Sequence, residues 1–279
     1  MSVLFVNDLT SIDFSYLHNQ RGLLGESLSL GIRLSGSLDE QGMVLDFADV
    51  KRQVKQLVDE HFDHKLIAPA RSSQLSTDTW DNRIELKFRW GDNMQLKHVS
   101  PAEAVSLLDV SDVTPGTLAT AIAEMLQERL PENISEIEIN LSEEVIDESS
   151  YQYSHGLKHH AGNCQRIAHG HRSRIIIYRN GTRSIELEEE WADRWDDIYI
   201  GSLEDLADAS DECHHYAYSS SQGNFELTLP AVCCDLINAD STVENIAEHI
   251  AEQLKSSHPE SRFEVHAYEG MDKGAIATS

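Results

Sequence analysis

The apolar and polar residues of the first half of the chain follow two kinds of period. Ser2 to Phe14 reads as a strand, and in Glu26 to Leu34 every second residue is apolar, which predicts another strand. Phe47 to His61 instead has apolar residues at positions 50, 54, 57 and 58, a spacing that predicts an amphipathic helix. Arg83 to Arg89, followed by the turn Gly91-Asp92-Asn93, predicts a hairpin.

A helix predicted at Thr117 to Leu130 and a strand at Ile134 to Leu141 complete the first half. The second half of the chain then repeats the order of these elements. Tyr151 to His155 echoes Phe14 to His18, because each has an aromatic residue four positions before a histidine. The further predicted elements are a strand at Arg174 to Tyr178, a hairpin-like turn at Arg179-Asn180-Gly181 into Ser184 to Leu187, a helix at Ser241 to Leu254 and a strand at Arg262 to Tyr268. The shared order predicts a tandem duplication, with copies at 1–148 and 149–279. Antiparallel sheets backed by helices give each copy an α+β fold.

The composition limits the partners and the location of the protein. A formal net charge of −26 repels phosphate backbones, so we expect no nucleic-acid partner. No apolar run approaches the roughly 18 residues of a membrane span, and no basic residue precedes the first apolar stretch. These features predict a cytoplasmic protein with no signal peptide and no membrane contact. The cysteines are expected to be reduced thiols; they are Cys164, Cys213, Cys233 and Cys234.

One window of the chain departs from this acidic background. No Asp or Glu lies between Glu148 and Glu186. The window holds the cations Lys158, Arg166, Arg172, Arg174, Arg179 and Arg183. A basic segment in an acidic protein predicts a site for an anion, or for a metal with an anionic ligand.

The same window contains the motif His169-Gly170-His171. Side chains alternate along a strand, so both histidines of the motif face one side, where His155 of the neighbouring strand joins them. Three imidazoles with an open fourth position are typical of catalytic zinc, although a chance motif in a histidine-rich stretch is the alternative. Cys164 is interpreted as a base or nucleophile, because zinc and nearby cations favour its thiolate. A fourth zinc ligand or a buried structural cysteine are the other readings of this residue.

The combination of an aromatic residue, a histidine, a cysteine and His-Gly-His resembles the 6-pyruvoyl/6-carboxy-tetrahydropterin synthase family. Other segments agree, so the resemblance covers nearly the whole chain. Gly42 to Phe47 resembles the family's Gly-x-Val-x-Asp-Phe, Phe62 to Leu66 its Leu-Asp-His-x-x-Leu, Thr242 to Asn245 the start of its second helix, and Glu269, ahead of Gly274-Ala275, its pterin-anchoring glutamate.

The resemblance implies two tunnelling-fold domains that oligomerise through their sheet edges into a barrel, so we expect a homo-oligomer. It also implies a cofactor, Zn²⁺, and roles for individual residues. The metal ligands would be His155, His169 and His171, the catalytic residues Cys164, Asp63 and His64, and the substrate-binding residues Glu269, Thr242, Arg166 and Arg172, with Lys158 and Arg174 also available to a triphosphate.

The family's motifs are divided between the two copies. The first copy keeps Asp63 and His64, but has residues 25–30 where cysteine and His-Gly-His are expected. The second copy has the metal motif, but has Glu212 to His215 where Asp-His is expected. Because family sites lie between subunits, the two copies are predicted to form one composite site, within a chain or between chains. The alternatives are that His214 replaces His64, or that both copies have decayed.

The resemblance implies a lyase that acts on a pterin triphosphate. The preferred reaction is that of a zinc-dependent 6-carboxytetrahydropterin synthase, which uses 7,8-dihydroneopterin triphosphate in queuosine and deazapurine biosynthesis. One alternative is elimination of triphosphate to give 6-pyruvoyltetrahydropterin. The other is a non-catalytic pterin-binding or scaffold subunit. The spacing between Cys164 and His169 does not decide between the two products.

Overall fold

A computed structural model describes residues 2–279, in which one order of elements occurs twice. The elements of the first copy are β1 (Ser2–His18), β2 (Gly22–Gly36), α1 (Phe47–His61), β3 (Leu66–Pro69), β4 (Leu75–Trp80), β5 (Arg83–Trp90), β6 (Met94–Pro101), β7 (Val105–Leu108), α2 (Pro115–Gln127) and β8 (Ile134–Glu143). Those of the second copy are β9 (Ser150–His155), β10 (His169–Arg179), β11 (Thr182–Arg183), α3 (Ile185–Arg194), β12 (Ile198–Ser202), β13 (Leu206–Ala209), β14 (Cys213–Ser220), β15 (Gly223–Pro230), β16 (Cys234–Ile237), α4 (Val243–Ser257), β17 (Phe263–Tyr268) and β18 (Gly274–Thr278).

Each copy builds a sheet with the same strand order. The first sheet is ordered β7-β3-β1-β2-β8 and the second β16-β12-β9-β10-β17-β18, with the short β11 beside β10. In the first sheet β1 and β2 form a long antiparallel hairpin, while β3 and β7 run parallel to β1. The second sheet has the same parallel pairs, β9 with β12 and β12 with β16. The repeat in sequence is therefore a repeat in topology, and the predicted duplication is confirmed.

The predicted helices lie where their apolar spacing indicates. Asp46 caps the N-terminus of α1 by accepting from two backbone N–H groups, and the buried face of the helix consists of Val50, Val54 and Val58. The hydroxyl of Thr114 caps α2 and that of Thr242 caps α4, and each accepts from one backbone N–H group. Among the residues that the structure describes, no helix is long and apolar enough to cross a bilayer.

The segment after the Arg179-Asn180-Gly181 turn corrects one prediction. Only Thr182–Arg183 pairs with β10, and the chain then forms α3 instead of continuing a strand through Leu187. Leu187 and Trp191 are four residues apart and both are buried, as a helical face requires. The apolar alternation of Ser184 to Leu187 was too short to distinguish a strand from the first turn of a helix.

The two copies share an interface built from strands. The third sheet is ordered β13-β14-β15-β6-β5-β4, so half of its strands come from each copy. The copies meet where β15 pairs with β6, with Glu226 opposite Val99. Side chains of both copies fill the core beneath this sheet, among them Leu17, Phe88, Tyr199 and Tyr216. The copies therefore fold onto one another within the chain.

A second contact between the copies brings β2 against β10 through glycines. A Cβ atom added to Gly170 would lie 2.7 Å from Cα of Gly25 and 2.3 Å from the carbonyl oxygen of Tyr153. Beside them the hydroxyl oxygens of Ser15 and Ser154 lie 2.7 Å apart and are buried. Gly170 of the His-Gly-His motif thus allows the backbone of the first copy to approach closely.

The outermost strands β8 and β18 keep one free edge each within residues 2–279. Ile276 on β18 is 63% exposed, which is unusual for a large apolar side chain. Free strand edges favour pairing with another chain. Assembly through these edges into a barrel stays a prediction, and the mass of the protein in solution by light scattering tests it.

Candidate active site

Three histidines of the second copy converge at the end of the β9–β10 hairpin. His155 ends β9 and lies opposite His169, while His171 follows two residues later on β10. The alternation of side chains along β10 puts His169 and His171 on one face, as predicted. The rings are buried, their centroids are 4.3, 5.3 and 5.8 Å apart, and one nitrogen of each lies within 4.8 Å of the others.

The contacts of two of these rings define which nitrogen carries the proton. Nδ1 of His155 lies 3.0 Å from the carbonyl oxygen of Ser241, and Nδ1 of His169 lies 3.0 Å from that of Arg166. A carbonyl oxygen only accepts, so Nδ1 donates and Nε2 keeps its lone pair. Burial, together with the neighbouring imidazoles, lowers the pKa of both rings well below the usual value. Both are therefore in the neutral form that binds metals.

The third ring, His171, has a carboxylate at its Nδ1. Oδ1 of Asp13 lies 3.3 Å away, close enough for an electrostatic contact, although Nδ1 makes no hydrogen bond within residues 2–279. Over residues 2–279, the buried Nε2 atoms of all three histidines make no hydrogen bond. Three buried imidazoles with unsatisfied Nε2 atoms are a donor set that fits Zn²⁺ with an open fourth position.

Cys164 lies in the segment 156–168 that connects β9 to β10. Its carbonyl oxygen accepts from the backbone N–H of Leu157 at 2.9 Å. The carbonyl oxygen of the next residue, Gln165, accepts from the hydroxyl of Tyr218 on β14 at 2.8 Å. The buried Gln165 amide oxygen also accepts from the N–H of Gln222. These bonds attach the connecting segment to the third sheet and hold the half-buried thiol in place.

The first copy contributes Asp63 and His64 from the turn between α1 and β3. His64 has a φ of +53°, and its Nδ1 lies 2.5 Å from Oδ2 of Asp63. One ring nitrogen of His64, Sγ of Cys164 and a ring nitrogen of His169 lie within 4.8 Å of one another. The structure therefore brings the Asp-His pair of one copy to the thiol and the histidines of the other within a single chain.

His64 is charged in this setting. Burial by itself lowers the pKa of its imidazole, but the hydrogen bond to Asp63 and the adjacent sulfur of Cys164 raise that pKa to about 10. His214, the alternative to His64, lies on β14 with its Nδ1 3.3 Å from the hydroxyl oxygen of Tyr216.

The predicted cations of the basic window are engaged with other groups. Arg166 is buried, and its guanidinium donates to the carbonyl oxygen of His64 at 3.3 Å and to the amide oxygen of Gln222 at 3.1 Å. Arg172 donates to the carbonyl oxygen of Glu144 at 2.8 Å. Two more are ion-paired, Arg174 with Glu144 and Asp272, and Lys158 with Glu204 and Asp205. Acidic residues outside the window thus neutralise much of its charge.

Glu269 and Thr242 occupy different positions relative to the histidines. Glu269 lies directly after the last residue of β17, and its Oε1 lies 3.7 Å from Nε2 of His171. Its side chain is 24% exposed, so a ligand has access to it. Thr242 caps α4 through its hydroxyl, which accepts from the N–H of Asn245. Ser241, next to Thr242, contacts His155, so this helix start also supports the histidine cluster.

The register of the first hairpin corrects the predicted counterpart of His-Gly-His. His18 lies opposite Gly22, as His155 lies opposite His169, so Gly22-Leu23-Leu24 takes the place of the motif and residues 25–30 do not. The connection in the first copy is only residues 19–21, whereas the second has residues 156–168. The segment that carries Cys164 therefore has no counterpart, and counting along the sequence placed the motif too far on.

The predicted counterpart of the Asp-His pair was also wrong. Asp63 and His64 lie between α1 and β3, and the equivalent turn between α3 and β12 holds Trp195-Asp196-Asp197. Asp197 has a φ of +59°, close to that of His64. Glu212 to His215 instead lead into and begin β14, because the second copy reaches its parallel strand β12 earlier than the sequence spacing indicated.

A polar network fills the position of the site in the first copy. The guanidinium of Arg21 forms an ion pair with Asp197 and donates to the amide oxygen of Gln152 at 2.8 Å. The amide nitrogen of Gln152 donates in turn to Glu26 at 3.0 Å. Glu26 is buried, and that burial raises the pKa of its carboxyl to about 7, with a further rise from the charge of Glu143.

Replacing Glu26 with Gln should stabilise the protein at pH 8 and leave its stability nearly unchanged at about pH 4, below the pKa of the unfolded carboxyl. A carboxyl whose pKa rises from 4.5 to about 7 on folding costs stability once it ionises, and the cost is complete above pH 7. We expect a gain of about 1–3 kcal/mol at pH 8 in denaturant unfolding. Glu136→Gln, at an exposed position of β8, is the control. An equal effect of Glu26→Gln at both pH values would show that the charge is not the cause.

The residues that support the three histidine rings were not predicted from the sequence. Asp13 and Ser241 contact His171 and His155, and the carbonyl oxygen of Arg166 contacts His169. Asp13 had one weak signal in the sequence, since it is an acidic residue between the apolar residues Ile12 and Phe14 of a predicted strand. A backbone carbonyl leaves no signal in a sequence.

The model of the family described as 6-pyruvoyl tetrahydropterin synthase matches residues 14–149 and again residues 144–278. A Pyrococcus horikoshii protein, named as a candidate 6-carboxy-5,6,7,8-tetrahydropterin synthase, is 26% identical over 133 residues, which is 48% of this chain and 76% of that protein. The 6-pyruvoyl tetrahydropterin synthase structures of Plasmodium vivax and Plasmodium falciparum are 20% and 22% identical, with TM-scores of 0.42 and 0.41, and each match covers 51% of this chain and 91% of the other.

The fold and the site define a duplicated tunnelling-fold protein with a buried three-histidine cluster. The two matches of the family model together cover nearly the whole chain. The chain therefore belongs to the 6-pyruvoyl tetrahydropterin synthase family, as two tandem copies. This confirms the resemblance and the tunnelling fold that the motifs predicted.

Proposed function

We propose that this protein is a zinc-dependent lyase of the 6-carboxytetrahydropterin synthase type, which acts on 7,8-dihydroneopterin triphosphate in the cytoplasm as part of queuosine and deazapurine biosynthesis. The observation that carries the proposal is the convergence of three buried, unsatisfied imidazole Nε2 atoms with Cys164 and the charged His64. The name of the Pyrococcus horikoshii relative supports the carboxy product.

His155, His169 and His171 would hold the metal through Nε2. When bound, zinc supplies a Lewis acid for the hydroxyl oxygens of the substrate side chain and makes the adjacent C–H bonds more acidic. The protein contributes the orientation of the three rings. The carbonyl oxygens of Ser241 and Arg166 accept from Nδ1 of His155 and His169. The carboxylate of Asp13 lies 3.3 Å from Nδ1 of His171.

Cys164 and His64 are the proposed proton-transfer groups. The Cys164 thiolate would accept a proton at Sγ from a side-chain carbon of the substrate and return it after the bonds have rearranged. Nδ1 of His64 is engaged by Asp63, so Nε2 is the atom left for exchanging a proton with the substrate or with Cys164. The short contact with Asp63 keeps the ring in one orientation.

The remaining proposed contacts bind the two ends of the substrate. The carboxylate of Glu269 would accept from a ring N–H and the 2-amino group of the pterin, a charge-assisted pair of hydrogen bonds. Thr242, at the start of α4, is proposed to make a further contact with the substrate. Arg166 and Arg172 are proposed for the triphosphate, and Arg172 has the looser existing ion pair, since its guanidinium lies 3.9 Å from Glu143.

Two alternatives make different predictions about the product. Elimination of triphosphate to 6-pyruvoyltetrahydropterin is favoured by the description of the family model. A non-catalytic pterin-binding or scaffold subunit is favoured by the loss of the metal motif from the first copy, where Gly22-Leu23-Leu24 stands.

Incubation of the zinc-loaded protein with 7,8-dihydroneopterin triphosphate, followed by mass analysis, separates these functions. We expect 6-carboxytetrahydropterin from the wild-type protein and unchanged substrate from Cys164→Ala. The mass of the pyruvoyl product would assign the protein to the eliminating enzymes. Unchanged substrate with the zinc-loaded wild type, together with measurable pterin binding, would favour the scaffold.

A further inference from the structure

Asp13 is a buried acidic residue of the first copy that contacts the second copy. It lies on β1 with 3% of its surface exposed. Its Oδ1 accepts from the hydroxyl of Ser27 at 2.5 Å and lies 3.3 Å from Nδ1 of His171. Its Oδ2 accepts from Nζ of Lys273 at 2.9 Å. A carboxylate inside a protein is costly unless it is paired, and every contact of this one leads to the candidate site or its supports.

The backbone of Asp13 contacts the catalytic pair of the same copy. Its N–H donates to Oδ1 of Asp63 at 2.9 Å, and its carbonyl oxygen accepts from the N–H of His64 at 2.7 Å. The first of these bonds restrains the Asp63 carboxylate whose other oxygen engages the His64 ring. The second restrains the backbone of His64 in its left-handed conformation. One residue thus contacts both the Asp-His pair and a metal ligand.

Asp13 also lies against the turn that follows Glu269. A Cβ atom on Gly270 would lie 2.7 Å from Oδ1 of Asp13, and Gly270 has a φ of +71°. Lys273, at the end of the same turn, is the residue whose ammonium binds Asp13. The turn is closed by a bond from the N–H of Glu269 to the carbonyl oxygen of Lys273 at 3.0 Å. The position of Glu269 therefore depends on the same carboxylate.

We propose that Asp13 is a positioning residue that holds the metal ligand His171 of the second copy in register with the Asp63–His64 pair of the first. This inference rests on the proposed metal site. A carboxylate next to Nδ1 of a ligating histidine orients the ring and directs Nε2 to the metal, and Oδ1 of Asp13 lies 3.3 Å from Nδ1 of His171. Here the carboxylate comes from the other copy, so zinc affinity depends on how the two copies are docked.

The zinc affinity of an Asp13→Asn protein tests this proposal. We expect the dissociation constant for zinc, measured by chelator competition, to rise about 10–100-fold, as is typical when a ligand loses its supporting carboxylate. Cobalt substitution should give a visible absorption spectrum that differs from that of the wild type, because the angle of one ligand changes. Asp8→Asn is the matched control, since Asp8 is an exposed residue of the same strand.

A second pair of variants keeps the test decisive if Asp13→Asn does not fold. Ser27→Ala removes one bond to Oδ1 and leaves the carboxylate, so zinc affinity should fall by a smaller factor, about 3–10-fold. Ser29→Ala, two residues further along β2, should not change it, because the hydroxyl of Ser29 donates to Asp8. Equal effects of the two serine variants would overturn the proposal.

The outcomes separate this inference from the proposed function. A wild-type protein that binds zinc, with an Asp13→Asn variant of equal affinity and an identical cobalt spectrum, would refute the role of Asp13 and leave the function standing. A wild-type protein that binds no zinc would refute both. Weaker zinc binding and a changed spectrum in Asp13→Asn, with Asp8→Asn unchanged, would establish the role.

Discussion

Replacing His171 with alanine should weaken zinc binding by more than about 100-fold and abolish the proposed activity. His171 would be one of only three protein ligands, and losing a ligand costs more than losing a supporting residue, which by itself is worth about 10–100-fold. The other two rings, His155 and His169, keep their Nδ1 partners in the variant, so the loss reflects ligand number and not collapse of the cluster. Elemental analysis after dialysis should find one zinc per wild-type chain and almost none in the variant.

The control for this prediction is His159→Ala. His159 is an exposed histidine in the same connection as Cys164, and its Nδ1 lies 2.8 Å from Asp240. Its removal should leave the zinc content unchanged. Wild-type protein with two zinc ions per chain, or with none, would contradict a single three-histidine site. A His171→Ala variant that retains a full equivalent of zinc would contradict the assignment of this ligand.

Replacing either Cys164 or His64 with alanine should lower kcat by about 10²–10⁴-fold while leaving the zinc content unchanged. Both side chains are proposed to move protons, and neither is among the three proposed ligands. Because Sγ of Cys164 and a ring nitrogen of His64 lie within 4.8 Å in one chain, the two variants should not restore activity when they are mixed. Steady-state kinetics on each variant and on the mixture measure both effects.

The results of mixing distinguish the arrangements of the composite site. Recovery of activity in the mixture would mean that working sites form between chains in the oligomer. Full activity of His64→Ala would rule out the composite site in either form. His214→Ala serves as the control, because His214 lies on β14 beside Tyr216 and should not affect kcat.

The candidate site was partly visible in the sequence and partly not. The convergence of His169 and His171 follows from alternation along a strand, a local rule that two residues suffice to apply. The pairing of β10 with β9 then adds His155, whose position in the hairpin the repeat had indicated. No local rule predicts the contact of Asp13 with His171, because that contact depends on how the two copies pack against each other.

The displaced counterparts of the family motifs have one physical origin. Spacing along the chain transfers from one copy to the other only when the connections are equally long, and residues 19–21 replace residues 156–168 in the first copy. The counterparts of the cysteine and the His-Gly-His motif were displaced for this reason. The basic window misled in another way, because the acids that neutralise it, such as Glu144 and Glu204, lie outside it in sequence and beside it in space.

By itself the sequence determined the duplication and the helix at Phe47–His61, since these depend on periodicity. The tunnelling fold and the three histidines followed from the resemblance of its motifs to those of the family. Only the tertiary structure decided that His64 meets Cys164 inside one chain and that Asp13 supports His171. These contacts join residues that are far apart along the chain. They are set by the pairing of β6 with β15 and by the close packing of Gly25 on Gly170, which no local pattern encodes.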